Sequence, residues 1–346
     1  MDTALLTSVL DGVPLPSLVI GQDQRVLAAN LPARNLFGTG IVGRHYLMSM
    51  RQPALLDAVE AALHQGLAGQ VRHVITGQGG EATYRVTVSP VAGAGQSAAL
   101  CVFEDISEVE KIGQMRRDFV ANVSHELRTP LTALLGFIET LQGPARDDAP
   151  ARTRFLAIMQ REALRMNRLV RDLLSLSRVE AGERVRPTER DDIAGLATSV
   201  ATTLRPMAEA AGVVLRLDGA DAPAMVAADA DQMTQVLHNL IENAVKYGGA
   251  GQLVTVTLRH LPEEPALRGP ALSIAVADRG EGIDPLHLPR LTERFYRVDS
   301  HRSREKGGTG VGLAIVKHIV NRHRGRFRID SEAGQGSRFT ILLPAG

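Results

Sequence analysis

The strongest constraint on this chain's fold is an apolar period that runs through residues 104 to 182 with one interruption. Val109, Ile112, Met115, Phe119, Val123, Leu127, Leu134, Ile138 and Leu141 recur three, four or seven residues apart, as on one face of an α-helix. Gly143 to Ala151, with Pro144 and Pro150, breaks the pattern; Phe155, Met159, Ala163, Met166, Val170, Leu173 and Leu176 resume it until Gly182 supplies a stop. The spacing predicts one helix over about 104–142 and a second ending near 182, folded back as a hairpin. Two helices cannot hide stripes this broad from water by themselves, so a second copy completing a four-helix bundle is expected, which makes the protein a homodimer. Pro130 removes a backbone donor inside the first helix and predicts a bend there.

Within that helix lies Phe119 to Leu131, FVANVSHELRTPL. At 3.6 residues per turn Val123 and Leu127 share the apolar stripe, and His125, two steps from each, points roughly 160–200° away toward solvent. A solvated imidazole on a rigid helix, with the Glu126 carboxylate next in sequence, is equipped to act as a nucleophile at neutral pH. A plain surface histidine has the same appearance, so the distinction depends on residues far downstream.

Composition narrows the class. The chain has 346 residues, 44% of them hydrophobic and 22% charged, which suits a multidomain globular protein. Lys and Arg number 39 against 38 Asp and Glu, so charge balance calls for no nucleic-acid partner. A single cysteine, Cys101, excludes an internal disulfide framework and Cys-based zinc sites, and it fits a reducing cytoplasm. No signal peptide and no run of about 18 apolar residues is found. The longest uncharged stretch, Val86 to Phe103, is punctuated by Pro90, Gly93 and Gly95 and reads as two strands around a turn. A cytoplasmic location is expected, with peripheral docking at the inner membrane left open.

Residues 1–106 are different in texture. Ser17 to Ile20, Arg25 to Ala29, His73 to Thr76, Thr83 to Val91 and Ala98 to Glu104 read as strands; Tyr84, Val86 and Val88 alternate with polar residues. Leu31 to Phe37 and Pro53 to Gly66 carry helical spacing. This order, closed by FEDIS at 103–107, resembles a PAS sensor domain running into its output helix. The resemblance implies an α+β signal-receiving or dimerising module. Cys101 falls in its last strand rather than in a helix-borne flavin motif, and His45, His64 and His73 read as surface or core histidines, so no bound cofactor is expected.

The most specific chemistry lies in residues 189–346. In Asp229 to Tyr247 the apolar Met233, Val236, Leu237, Leu240, Ile241, Ala244 and Val245 form one helix face, while Asn239, Glu242, Asn243 and Lys246 fall on another. Asparagine is a poor helix former; two of them one turn apart, beside a carboxylate and an ammonium, point to a polar site. An amide oxygen suits magnesium and a lysine suits a polyphosphate. A strand from Leu272 to Ala277 then ends in DRGEGI at 278–283, an acid followed by two glycines. Lys306 to Leu313, KGGTGVGL, opens onto a helix through His323, leaving backbone N–H groups for phosphate oxygens. It lacks the spacing of a P-loop and does not follow a strand as in a dinucleotide fold.

Taken in order, SHELRTPL, HNLIENAVKY, DRGEGI, ERFYR and GGTGVGLAIV resemble the histidine, asparagine, glycine and phenylalanine boxes of the sensor histidine kinases of two-component signalling, in particular the phosphate-regulon sensors. The resemblance covers residues 119 to 346. It implies a PAS domain (1–106), a dimerisation and histidine phosphotransfer hairpin (107–183), and an α/β sandwich ATPase domain (189–346) of the type shared with gyrase and Hsp90, helices on one face of a mixed sheet. It implies ATP and Mg2+ as cofactors and phosphorylation of His125 on Nε2, with Glu126 as base and Thr129 aligning water for dephosphorylating the partner. Asn243 would ligate magnesium with Glu242 close by, and Asn239, Lys246 and Tyr247 would approach the nucleotide. Asp278 would bind the adenine amino group, Gly280 and Gly282 would let the base sit against the backbone, and Gly308, Thr309, Gly310, Gly312 and Leu313 would close over the phosphates behind a lid at about 284–309.

The implied partner is an Asp on a separate response regulator, and a membrane transporter complex is a candidate source of the signal. Arg279 and Glu281 depart from the residues the family more often shows there. The missing transmembrane region puts extracellular sensing in doubt. Two other readings stay in view: a non-catalytic scaffold, and an ATP-driven machine of the gyrase or Hsp90 kind, which would have no use for SHELRTP in a dimeric hairpin.

Overall fold

The computed structural model describes residues 3–77, 80–93, 96–182, 185–249, 253–298 and 308–345. The chain divides into two compact units, one ending at Ala121 and one beginning at Asn122.

The first unit opens with a helix the apolar pattern does not announce, α1 (Thr3–Asp11), followed by β1 (Ser17–Gly21), β2 (Val26–Ala29), α2 (Leu31–Phe37), α3 (Pro53–Glu60), β3 (Gly69–Gly77), β4 (Gly80–Gly93) and β5 (Gln96–Asp105). The strands form one antiparallel sheet in the order β2-β1-β5-β4-β3. Its core comprises Leu18, Ile20, Tyr46, Met50, Leu55, Val86, Val88, Cys101 and Phe103. Burial pushes the Cys101 thiol up to about 12, so it is an inert packing residue. β3 starts at Gly69, before His73, the first residue that reads as strand by composition. His73 is buried: its Nδ1 donates to Gln52 Oε1 at 2.8 Å, an oxygen that also accepts the Val74 N–H, and burial holds its pKa below the usual value. The expected β4–β5 turn is bracketed by the Gly93–Gln96 pair; Gly95 itself lies outside the described residues.

α4 (Ser107–Gln142) starts just after an Asx-type turn in which Asp105 Oδ1 accepts the Ser107 N–H at 2.8 Å. It runs unbroken through Pro130. In the second unit α5 (Ala149–Gly182) returns against it, with Phe137 stacked on Phe155 at 5.2 Å between centroids. Pro150 thus lies in the first turn of α5 instead of the connecting loop; a proline there costs nothing, because first-turn N–H groups have no helical acceptor. Leu131, Leu135 and Ile138 on α4 and Leu156, Leu164, Val170 and Leu174 on α5 remain exposed in the single chain. No described helix is long and apolar enough to cross a membrane.

After a short ribbon of β6 (Arg190–Asp192) and β8 (Met225–Ala227), the remaining elements build an α/β sandwich. They are α6 (Ile193–Ala210), β7 (Val214–Asp218), α7 (Ala230–Tyr247), β9 (Leu253–Glu264), β10 (Gly269–Ala277), α8 (Gly312–Arg322), β11 (Arg326–Glu332) and β12 (Gly336–Pro344). The sheet order is β11-β12-β10-β9-β7, with β7 parallel to β9 and the other pairs antiparallel. In β9, Val254, Val256 and Leu258 are buried and the residues between them are not, the alternation of a sheet covered on one face. α7 packs between α6 and α8 above that face. Each fully buried Leu, Ile or Val in this layer contributes about 1.5–3 kcal/mol by leaving water. α5 packs on α8, so part of the hairpin is covered by the sandwich of its own chain.

Candidate active site

A cavity of about 460 Å³ opens between α7, the end of β10, the start of α8 and the side of α5. α7 is placed by its two ends and its buried face. Asp229 caps it, Oδ1 accepting the Gln232 N–H at 3.1 Å, and Oδ2 takes Arg322 Nη1 at 2.9 Å. His323, fully buried at the end of α8, donates from Nδ1 to the Ile319 carbonyl and accepts the Asp229 N–H on Nε2. With Met233, Val236, Leu237, Leu240, Ile241, Ala244 and Val245 all buried, Gln235, His238, Asn239, Glu242, Asn243, Lys246 and Tyr247 are turned into the cavity wall. Lys246 Nζ is 2.8 Å from Glu242 Oε1, and Asn239 Nδ2 donates to the Gly312 carbonyl at 3.4 Å, tying α7 to the first turn of α8.

Asp278 forms the opposite wall. Oδ1 accepts the N–H groups of Gly280 (2.9 Å) and Ser337 (3.3 Å). Burial raises its pKa, and the two backbone donors oppose the rise. The glycines after it have a different reason from the one expected. A Cβ on Gly280 would stand 2.6 Å from the Tyr247 carbonyl oxygen; on Gly282, at φ +69°, it would stand 2.0 Å from that of Glu332. Both are therefore demanded by the protein's own backbone before any base is considered.

The second glycine stretch is described from Gly308 onward; Lys306 and Gly307, with the 299–307 part of the lid expected at about 284–309, lie outside the described residues. Gly310, at φ +71°, accepts the Phe295 N–H at 2.8 Å, so ERFYR and GGTGVGL are locked together. α8 starts after Val311, which offers no side-chain cap, and its first N–H groups face a cavity lined by Gly308, Thr309, Gly310, Gly312 and Leu313.

His125 is exposed on α4, as the spacing requires. Thr129 Oγ1 donates to the His125 backbone carbonyl at 3.2 Å. Glu126 turns the other way: its Oε2 receives Arg165 Nη2 of α5 at 2.9 Å and Arg297 Nη2 at 3.1 Å. In this arrangement the carboxylate expected to orient the imidazole is engaged by two guanidinium groups.

Arg297 is 7% exposed and its Nε is buried without a hydrogen-bond partner among the described residues. It lines the cavity on one side and, with Thr309, a narrow gap against Glu126, Pro130 and Arg165 on the other. Sequence reading singled out neither Arg297 and Arg165 nor Asp172 and Arg168, which bring α5 into the cavity wall. Arg297 was visible inside ERFYR, but its role depends on the fold. Asp172 had a readable signal: a charge three residues after Leu169 and four before Leu176, both of which are buried.

Residues 115–182 match the His Kinase A (phospho-acceptor) domain, and residues 228–346 match the histidine kinase-, DNA gyrase B- and HSP90-like ATPase. The chain belongs to the sensor histidine kinases, ATP-dependent enzymes of two-component systems. It is 34% identical to the sensor-like histidine kinase SenX3 of Mycobacterium tuberculosis over 348 aligned positions, 99% of this chain and 80% of the relative. It is 42% identical to the phosphate regulon sensor protein PhoR of Pseudomonas aeruginosa over 247 residues, 71% of this chain and 54% of the relative, so it spans about half of that protein's length. Among solved structures, the Acinetobacter baumannii histidine kinase AdeS superposes at TM-score 0.50 with 26% identity, covering 64% of this chain and 98% of that one. Histidine kinase ThkA, solved with response regulator protein TrrA, shares the fold at TM-score 0.53, 19% identity and 98% coverage of both chains.

Proposed function

We propose that this chain phosphorylates its own His125 from ATP, passes the phosphoryl group to an Asp of a response regulator, and dephosphorylates that regulator. The observation that carries the reading is the continuity of the site: Arg297 and Thr309 form at once the wall of the nucleotide cavity and the contact with Glu126, next to the exposed His125.

In the reaction the Nε2 lone pair of His125 forms a P–N bond as the bond from the terminal phosphorus to its bridging oxygen breaks, and the Nδ1 proton passes to a base. Glu126 is the base within reach once it leaves Arg297 and Arg165. Asp278 accepts a hydrogen bond from the adenine amino group, and Asn239, Lys246, Tyr247 and the N–H groups of the Gly308–Leu313 stretch hold the phosphates. The donor chemistry fits a magnesium ion: the Asn243 amide oxygen and Glu242 carboxylate are hard ligands, and such sites commonly take only one or two protein oxygens besides phosphate and water. When bound, the ion neutralises charge on the transferring group. Thr129 lies one helical turn after His125, suited to aligning water for dephosphorylation.

The first unit acts as a PAS-type sensor, a reading supported by its five-stranded antiparallel sheet and the Asp105–Ser107 turn that leads from its last strand into α4. The chain works as a homodimer, which covers the exposed leucines of α4 and α5, and the single buried Cys101 suits the cytoplasm. Phosphate starvation relayed by a membrane transporter complex is the proposed stimulus, supported by the 42% identity to a phosphate regulon sensor. Incubation with γ-labelled ATP tests the enzyme reading: label that is acid-labile, alkali-stable and lost in His125→Gln is expected. Unlabelled protein that still binds nucleotide would reduce it to a scaffold.

A further inference from the structure

Asp172 is the residue whose position the kinase reading leaves unexplained. It projects from α5, which belongs to the hairpin, yet it lines the nucleotide cavity, and its Oδ2 accepts the Thr309 hydroxyl at 2.7 Å. The same hydroxyl accepts the Val311 N–H at 3.4 Å, so one carboxylate steadies the glycine stretch at the point where α8 begins. Asp172 is flanked by Leu169 and Leu176, which are buried where α5 packs on α8. Ser175 Oγ donates to Gln235 Oε1 at 2.8 Å in the next turn. A second tie runs in parallel, from Arg297 to Glu126.

Both ties use groups that a polyphosphate would claim. Thr309 belongs to the stretch that lines the cavity, and Arg297 is a buried guanidinium with one nitrogen unpartnered among the described residues. A nucleotide's phosphates bring several negative charges to a wall that already holds Asp172, and like charges at a few ångströms repel strongly where water is excluded. Burial lifts the Asp172 pKa, the Thr309 bond opposes the rise, Glu242 adds to it, and Arg168 and Lys246 oppose it.

We propose that Asp172 is a residue of the nucleotide site contributed by the hairpin: it holds Thr309 while the phosphate end of the cavity is empty, and an entering triphosphate displaces it, loosening the ATPase domain from α5 and freeing Glu126 from Arg297. The hairpin thereby sets the preference of the site between nucleotides of different charge and couples occupancy to the loss of one of the proposed base's two guanidinium partners, Arg165 remaining. This rests on the cavity being the nucleotide site.

The test uses the full chain with cysteines introduced at the exposed Arg161 and Arg259 for fluorescence energy transfer; the native Cys101 is buried and does not compete for label. A non-hydrolysable ATP analogue and ADP, each with magnesium, are titrated into the wild type, Asp172→Ala and Asp172→Asn. In the wild type the analogue lowers transfer more than ADP does. Asp172→Ala shows reduced transfer before any nucleotide is added and binds the analogue about tenfold tighter, a coupling of ordinary size, with a smaller gain for ADP. Asp172→Asn keeps an oxygen for Thr309, so it keeps the nucleotide-free transfer while also binding the analogue more tightly. Weaker or unchanged binding in both variants overturns the proposal, since a merely structural or metal-holding role would lower affinity. Failure of the wild type to bind either nucleotide would instead remove the reading of the cavity itself.

Discussion

Gly282→Ala separates two reasons for a glycine at this site. At φ +69° an alanine carries left-handed strain of about 1–2 kcal/mol. Its Cβ would also stand 2.0 Å from the Glu332 carbonyl oxygen, with Ala333 Cα at 3.0 Å, so backbone must move at a turn where the Gly334 N–H is bonded to the Glu281 carbonyl at 2.7 Å. Loss of that bond and displacement of the β11–β12 turn add about 1–3 kcal/mol, giving a total of about 2–5 kcal/mol. Gly334→Ala is the control: φ is +83° but nothing lies within 4 Å of the new Cβ, so only the strain applies. For a domain of this size each kcal/mol lowers the midpoint by about 2–4 °C. Thermal unfolding of both variants, followed by ellipticity, should place Gly282→Ala well below Gly334→Ala without any nucleotide present. Equal midpoints, with nucleotide binding lost only in Gly282→Ala, would refute the packing argument and return the glycine to the ligand.

Asp278→Ala removes the acceptor of two backbone donors and the proposed adenine partner, so nucleotide binding should fall at least tenfold, about 1.4 kcal/mol; calorimetric titration that gives wild-type affinity would exclude this carboxylate from the site. Asp229→Ala loses the α7 cap and the partly exposed Arg322 pair, for a cost of about 1–3 kcal/mol, whereas Asp229→Asn retains the cap and should recover most of it in denaturant titrations. His323 and His73 have pKa values held down by burial. A histidine depressed in the fold resists protonation that the unfolded chain accepts, so stability is full above the unfolded value near 6.5 and declines as pH falls below it. Urea midpoints at pH 7.5 and 5.5 should differ in that direction, and His323→Gln should shrink the difference.

The features legible in the sequence were those with a local cause. The helices of the hairpin follow from a repeat of three and four, α7 from Asp229 followed by an apolar face, and β10 from a short apolar run ending at an acid. α1 was missed because Leu5 and Val9 are exposed and Leu6 and Leu10 alone make no clear period. The start of β3 carries no sequence signal, because Gly69 and Gln70 have loop composition and only pairing with Val88 and Thr87 makes them strand. Most of what was missed at the site is of this kind. Arg165 meets Glu126 across the hairpin, whereas Asp172 and Thr309, and Glu126 and Arg297, are far apart in the chain and are brought together by the packing of the hairpin on the sandwich.

That packing also changes the argument from which a dimer was inferred. The apolar surface of α5 was expected to be shared between α4 and a second copy. In the fold it has three claimants, because Leu169, Leu176 and Val179 are buried on the sandwich side while Leu156, Leu164, Val170 and Leu174 stay exposed. The residues left for a partner lie on the hairpin's outer faces together with Leu131, Leu135 and Ile138 of α4. A contact that dissolves when the sandwich moves must therefore be built from α5 residues the partner does not use. Asp172 and Ser175 meet that condition: both are polar and both bond to the sandwich. In the proposed dimer the stalk can stay closed while the ATPase domain lets go, so Val170→Asp or Leu174→Asp should break the dimer in sedimentation measurements and leave the nucleotide affinity of the monomer intact. Loss of both properties together would mean that the two faces of α5 are not independent.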